Sequence, residues 1–183
     1  MRVPRTFVFV DLSGFTQYAE ERGDMAAGDV LSAFRAIARE VASDRGVRIA
    51  KWLGDGCMVV AMDHNDAIVF ALELQQRATL ACEPLSLRAG IATGYALLFE
   101  GDDYIGTIVN LSARLCDAAG TNEVLLPVDQ ANELPDGVTA EPHNALALHG
   151  FPDPIQVVSL TGDPHMAARN DTGELWTRTP FVL

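Results

Sequence analysis

The sequence predicts an α+β fold, a ferredoxin-like-derived sandwich in which a mostly antiparallel central sheet carries helices on one face. Three observations predict it. Apolar runs and amphipathic stretches follow one another as strand, helix, strand, strand, helix, strand. Gly54-Asp55-Gly56 separates two short apolar runs, which is a hairpin signal. The amphipathic stretches repeat every three to four residues, so each has one side to lay on a sheet. The 183 residues are 49% hydrophobic. That suffices for one well-cored domain and is little for two. Residues 1–183 are therefore read as a single domain with its core at about 6–160 and a tail at 161–183.

The first strand is placed at Thr6 to Leu12, a β-branched and aromatic run without turn residues. A helix follows over Ala26 to Ser43, where Ala27, Val30, Leu31, Phe34, Ala38 and Val41 share a face, and Gly46 ends it. Val47 to Leu53 and Cys57 to Met62 form the hairpin, with Asp55 at its tip. A second helix runs from about Asn65 to Cys82. Past Pro84 come strands at Leu85 to Thr93 and Tyr95 to Phe99, separated by Gly94. Gly101 to Gly106 reads as a loop. Thr107 to Ala119 is helical, with Leu111, Leu115 and Ala118 as its apolar stripe and Asn110, Arg114 and Asp117 on the polar side. The rest reads as strand Glu123 to Leu126, helix Val128 to Leu134, and strands Ala145 to His149 and Ile155 to Leu160. The tail is polar apart from Trp176 and Phe181-Val182-Leu183.

The net charge is −12, with only 13 Lys and Arg. Binding a phosphate backbone needs clustered cations, so nucleic acid is an unexpected partner. A small nucleotide remains allowed, because a few cationic groups and bound cations can neutralise one triphosphate. Cys57, Cys82 and Cys116 are widely spaced and lie in or beside apolar or helical runs, which fits neither a disulfide framework nor a zinc pattern. They read as core residues of a reducing compartment. The N-terminal apolar run is too short for a signal peptide, and no stretch reaches the ~20 apolar residues that span a bilayer. The expectation is a cytoplasmic protein with no membrane partner.

Asp11 and Asp55 carry the chemistry. Each ends an apolar strand at a Gly-containing turn, a poor place for a solvated charge and a good one for a metal ligand, so two such turns suggest a paired-carboxylate Mg²⁺ site. Either aspartate alone also fits an ordinary turn. Arg88 sits inside the apolar segment Ser86 to Gly94, either at an edge or aimed at an anion. Lys51 precedes Asp55 in the hairpin, and Asp103 precedes Asn110 and Arg114. Gly101 to Gly106 has the glycine spacing of a phosphate loop, yet no lysine follows, so that reading is rejected.

Four segments in this order, FVFVDLSGFT from Phe7, KWLGDG from Lys51, LRAGIATG from Leu87 and DYIGTIVNLSARL from Asp103, resemble the catalytic domain of the class III nucleotidyl cyclases. The resemblance covers about Thr6 to Leu160. It implies that Asp11 and Asp55, with Leu12 beside them, hold two divalent cations, Mg²⁺ or Mn²⁺, an arrangement suited to in-line displacement at phosphorus. Backbone N–H groups from Leu12 through Phe15 and Thr16 would face the β and γ phosphates. Arg114 matches the family's transition-state arginine, Asn110 its ribose-orienting asparagine and Arg88 a phosphate-contacting arginine. Lys51 and Asp103 match the pair that reads the purine, and a lysine donor with an aspartate acceptor complements adenine. The implied reaction is ATP to 3′,5′-cyclic AMP and pyrophosphate, in a homodimer whose subunits share each site. A guanylate or dual-purine cyclase and a catalytically silent nucleotide-binding domain are the alternatives. One departure from the family is Leu148-His149-Gly150, where many members have Lys-Gly; neutral histidine supplies less charge to the terminal phosphates.

Overall fold

A computed structural model describes residues 1–100 and 103–163. The tail residues beyond 163, Trp176 and 181–183 among them, and Gly101-Asp102 lie outside the described residues. The chain runs β1 (Arg2–Ser13), α1 (Phe15–Arg45), β2 (Arg48–Leu53), β3 (Gly56–Ala61), α2 (His64–Ala81), β4 (Ser86–Phe99), β5 (Asp103–Ile105), α3 (Thr107–Ala118), β6 (Val124–Pro127), β7 (Val138–Pro142) and β8 (Val157–Gly162).

The sheet order is β2-β3-β1-β4-β6-β8-β7, with β5 pairing β4. Its first four strands, with α1 and α2 as crossovers, are the predicted ferredoxin-like unit. β1 is antiparallel to both β3 and β4, and only the described β4–β6 pairing is parallel. The alternation of β1 explains the layers. Val8, Val10 and Leu12 face α1 and α2 in the main core, together with Phe34, Ile68, Phe70, Leu87 and Ile91. Phe7 and Phe9 point the other way, against Met58, Val60, Val109 and Ile108. α3 thus covers the opposite face, which corrects the expectation of helices on one side.

α3 lies unusually close to the sheet. A Cβ on Gly90 would fall 2.3 Å from the Cys116 nitrogen. Ser112, fully buried, donates from its hydroxyl toward both Phe7 O at 2.9 Å and Gly90 O at 2.8 Å, a bifurcated contact tying the helix to two strands. The buried side of α3 is Val109, Ser112, Leu115 and Cys116; Ala118, expected in the stripe, is exposed. Gly94 is not a turn either, because β4 runs unbroken through it. Ile108 Cγ1 would lie 3.1 Å from a Cβ there, so this glycine lets the first turn of α3 close on the strand.

Other boundaries moved for identifiable reasons. α1 begins at Phe15, well before Ala26, because its first half is largely exposed and carries little apolar periodicity; Gly23 interrupts it at φ 84°. The expected helix Val128 to Leu134 is a 3₁₀ turn over Val128–Gln130. Gln130 there accepts from Thr93 N at 2.7 Å and donates to Thr93 O at 3.1 Å, standing in for a neighbouring strand. Residues 145–149 contribute only a bridge, Leu146 to Ile155. The predicted loop contains β5, and the short, mostly exposed β7 was not anticipated. Cys57, Cys82 and Cys116 are buried, free core residues as expected. No helix among the described residues is long and apolar enough to cross a membrane.

Candidate active site

Asp11 stands near the end of β1, opposite Gly56 on β3 and Arg88 on β4. Gly56 is needed here: a Cβ would lie 2.3 Å from Val10 O and 3.3 Å from an Asp11 carboxylate oxygen. The hairpin can therefore press against β1 only without a side chain at that position. Its tip is held twice more. Leu12 N donates to Asp55 O at 3.3 Å, and Arg35 of α1 donates from Nη2 to Gly54 O at 3.2 Å. These contacts bring the two predicted carboxylates together. Burial, and then the charge of Asp11, push the Asp55 carboxyl above its usual 3.8.

Arg88 answers this crowding. It donates from Nε at 3.0 Å and Nη2 at 2.7 Å to one Asp11 oxygen, and from Nη1 to Asp117 O at 3.0 Å. Burial disfavours its charge, but the hydrogen bond and charge of Asp11 outweigh this and raise its pKa. Asp117 in turn accepts from Arg114 Nη1 at 2.9 Å. A continuous path therefore links Asp55, Asp11, Arg88, Asp117 and Arg114. The Arg114–Asp117 pair is exposed on both sides, 45% and 61%, so it is weak and readily exchanged for a stronger anion. Asn110 lies on the same exposed side of α3 and has no side-chain hydrogen bond among the described residues.

Lys51 and Asp103 meet directly, with Nζ 2.6 Å from Oδ1, although they come from β2 and β5, 52 positions apart in the sequence. The Lys51 hydrogen bond holds the Asp103 carboxyl below the usual range. Leu12 is 1% exposed, so its side chain is core and only its backbone carbonyl is available to a cation. Phe15 and Thr16 open α1 behind Gly14 at φ 82°, with no side-chain cap and no acidic residue in the first turn. The leading N–H groups of a helix have no intrahelical partner, and here no carboxylate competes for them. His149 is exposed beyond the bridge strand, after buried Leu148.

Asp11 and Asp55 suit a divalent cation by their oxygen donors and by the repulsion that a cation would relieve. Among the described residues no group of three or more His, Cys, Asp and Glu is arranged to hold a metal. A bound ion would complete its shell with backbone carbonyls, water or phosphate. Burial drives the Cys57 and Cys116 thiols up to about 12, so both are neutral thiols in the cation-free protein. Gly56, Gly90, Ser112 and Arg35 position these groups and were missed in the sequence. Their only signal there was small or charged residues inside apolar runs.

No family model matches the chain. It is 33% identical over 156 residues to an uncharacterized protein of Mycobacterium tuberculosis, covering 85% of this chain and 41% of that one. An adenylate cyclase of Streptomyces coelicolor is 34% identical over 126 residues, 69% of this chain and 33% of its own length. The chain thus spans well under half of these curated relatives. Among solved structures, the adenylyl cyclase CyaB from P. aeruginosa superposes with a TM-score of 0.78 at 26% identity, over 93% of this chain and 97% of that one. The guanylyl cyclase Cya2 shares the fold with a TM-score of 0.76 at 22% identity, over 94% and 96%. The ordered motifs, the paired aspartates, and this likeness over nearly the whole described chain make it a member of the class III nucleotidyl cyclase catalytic-domain family.

Proposed function

We propose that the chain is an adenylate cyclase, converting ATP to 3′,5′-cyclic AMP and pyrophosphate as a homodimer that uses two divalent cations, Mg²⁺ or Mn²⁺. The observation that carries this reading is the Asp11–Asp55 carboxylate pair, where burial and then the Asp11 charge raise Asp55 and Arg88 answers on one side. When bound, the cations supply activation of the ribose 3′-hydroxyl and neutralisation of phosphate charge. The chain's own residues do the rest. Asp11, Asp55 and the Leu12 carbonyl would hold the cations. The N–H groups at Phe15 and Thr16 would receive terminal phosphate oxygens, and Arg88, beside Asp11, would supply a guanidinium to phosphate. Arg114 leaves Asp117 for the crowded phosphorus, where a forked guanidinium stabilises equatorial charge. Asn110, one turn earlier, orients the ribose.

Adenine recognition is read from Lys51 and Asp103. Adenine N1 accepts and its amino group donates, which suits an ammonium and a carboxylate; guanine inverts both. Each mismatch leaves a polar group unpaired at ~1–3 kcal/mol. Curated relatives named adenylate cyclase support the same choice. A catalytically silent nucleotide-binding domain is the second reading, favoured by the engagement of Arg88 and Arg114 by acids of their own chain. Incubating the protein with ATP or GTP and Mn²⁺ or Mg²⁺, then identifying the products, separates the readings. Cyclic AMP is expected; nucleotide binding with no cyclic product would favour the silent domain.

A further inference from the structure

A cavity of about 390 Å³ lies at the β2 edge, where the end of α1 meets the start of β2. Its volume falls in the range of small-molecule sites. Arg5, Arg39 and Arg48 line it, against an apolar floor that includes Val47, Ile49 and Val60, and among the described residues no acidic side chain contributes to the lining. In a chain of net charge −12 with only 13 Lys and Arg, Arg5 and Arg39 at one apolar cavity are a notable concentration of positive charge. Among the described residues neither Arg5 nor Arg39 has a carboxylate partner. Arg5 Nη1 donates to the adjacent Pro4 O at 2.7 Å, and Arg39 reaches Arg35 O at 3.5 Å while standing over the Trp52 ring at 5.1 Å. Both keep donors for an incoming anion, because a guanidinium carries five N–H groups.

The cavity adjoins both strands that present the candidate purine pair. Ile49 on its floor flanks the β2 bulge that precedes Lys51, and Tyr104 in its wall follows Asp103 and donates its backbone N–H to Asp103 Oδ1 at 2.9 Å. A ligand resting on Ile49 and Tyr104 therefore presses on the segments holding Lys51 against Asp103.

We propose that this cavity is an effector site for an amphipathic organic anion, a carboxylate or phosphate carried on an aromatic or branched aliphatic body, separate from the nucleotide site. The anionic group pairs with Arg5 and Arg39, and the apolar body covers Val47, Ile49 and Val60. The influence on purine choice rests on the function proposed above; the binding does not.

Trp52 supplies the readout, since Arg39 must shift on its ring to meet a ligand. In the full chain carrying Trp176→Phe, so that Trp52 is the remaining tryptophan, fluorescence is titrated with phenyl phosphate, benzoate, phenol and inorganic phosphate. At least one of the first two is expected to saturate at a concentration tenfold or more below phenol and inorganic phosphate. Which of them does so tells carboxylate from phosphate. Arg5→Gln with Arg39→Gln, and separately Met62→Glu at the exposed rim, should each weaken that binding at least tenfold while the far-UV spectrum is retained. Equal response to phenol, or unchanged affinity in both variants, would overturn the site. The ATP to GTP ratio of kcat/KM at saturating ligand is expected to move at least twofold, and an unmoved ratio in an active enzyme would overturn the effector role. A chain that makes no cyclic nucleotide would sink the proposed function and leave the fluorescence result to decide the binding.

Discussion

Arg88 Nε and Nη2 both donate to the same oxygen of Asp11, at 3.0 and 2.7 Å, so the arginine stands where charge neutralisation of the carboxylate pair is most needed. Without a cation, Asp11 and Asp55 repel each other, and Arg88 is the positive charge that compensates for them. A divalent ion at the pair would take over that role and leave Arg88 free for another anion.

Arg88→Ala is therefore expected to lower the stability of the cation-free protein by about 1.5–3 kcal/mol, the loss associated with hydrogen bonds to a charged group. Mg²⁺ or Mn²⁺ should then raise Tm more in the variant than in the wild type, because the ion restores the missing charge. Thermal melts with and without cation measure this. Equal cation-induced shifts in the two proteins would mean that Arg88 and the ion do not share a task.

Asp55→Asn should trade function for stability. Burial first, and the Asp11 charge second, raise the Asp55 pKa above 3.8. Between 3.8 and the folded value the native state holds the extra proton, so stability falls as pH rises through that window and the full cost is present at neutral pH. Asparagine removes the repulsion. The variant is expected to melt higher than wild type at pH 7 without cations, to lose its cation-induced shift, and to fall below a tenth of wild-type kcat. A lower cation-free Tm at pH 7 would contradict the electrostatic account.

The ferredoxin-like half was legible because its signals are local: a β-branched and aromatic run at Thr6–Leu12, a period-3.6 run in α1, Pro84 after α2, and glycines at the hairpin. Asp11 and Asp55 were legible for the same reason, as charges set at the ends of buried strands. What the sequence could not give was long-range. Gly94 looks like a turn until α3 is seen pressing on β4, and Gln130 looks helical until its amide is seen bonded to Thr93. The coverage of both faces followed from Gly90 and Ser112, whose roles exist only once α3 lies on the sheet. Likewise, Arg88 showed itself as an unusual strand residue, but its attachment to Asp11 depends on the β1–β4 register.

His64 supplies a separate pH signature. Its Nδ1 lies 2.7 Å from the Thr93 hydroxyl and its Nε2 lies 3.0 Å from Gln130 O. A carbonyl only accepts, so the neutral ring carries its proton on Nε2 and accepts a hydrogen bond from the Thr93 hydroxyl at Nδ1. Burial lowers its pKa below 6.5. Below 6.5 the unfolded chain binds a proton that the folded chain refuses, so stability should fall as pH drops from 6.5 to the folded value and level off beneath it. His64→Gln should flatten the wild-type slope between pH 6.5 and 5 in denaturant titrations. An identical slope in the variant would exclude His64 as its source.

Purine choice should follow Lys51 and Asp103. Lys51→Glu with Asp103→Ser inverts the donor and acceptor offered to the base, so ATP use should weaken and the GTP to ATP ratio of kcat/KM should rise at least tenfold. Both side chains are substantially exposed, so the fold should be unaffected. A ratio unchanged in a folded, active variant would remove both residues from base recognition.

The shared-site architecture makes the sharpest demand. If each site takes Asp11 and Asp55 from one subunit and Asn110 and Arg114 from the other, Asp11→Ala and Arg114→Ala are each inactive alone. In a mixed dimer, one site collects both lesions and the other collects neither. Equal mixing with free exchange makes about half the dimers heterodimers, each with one intact site of two, so activity should recover to about a quarter of wild type. The path from Asp11 through Arg88 and Asp117 to Arg114 adds a second expectation, because within one chain it joins residues that would serve different sites. Damage at one end should then be felt at the other, so a quarter is the upper limit of the recovery. Full absence of recovery, with subunit exchange demonstrated by differently tagged chains, would place both residue sets in one chain and overturn the dimeric mechanism.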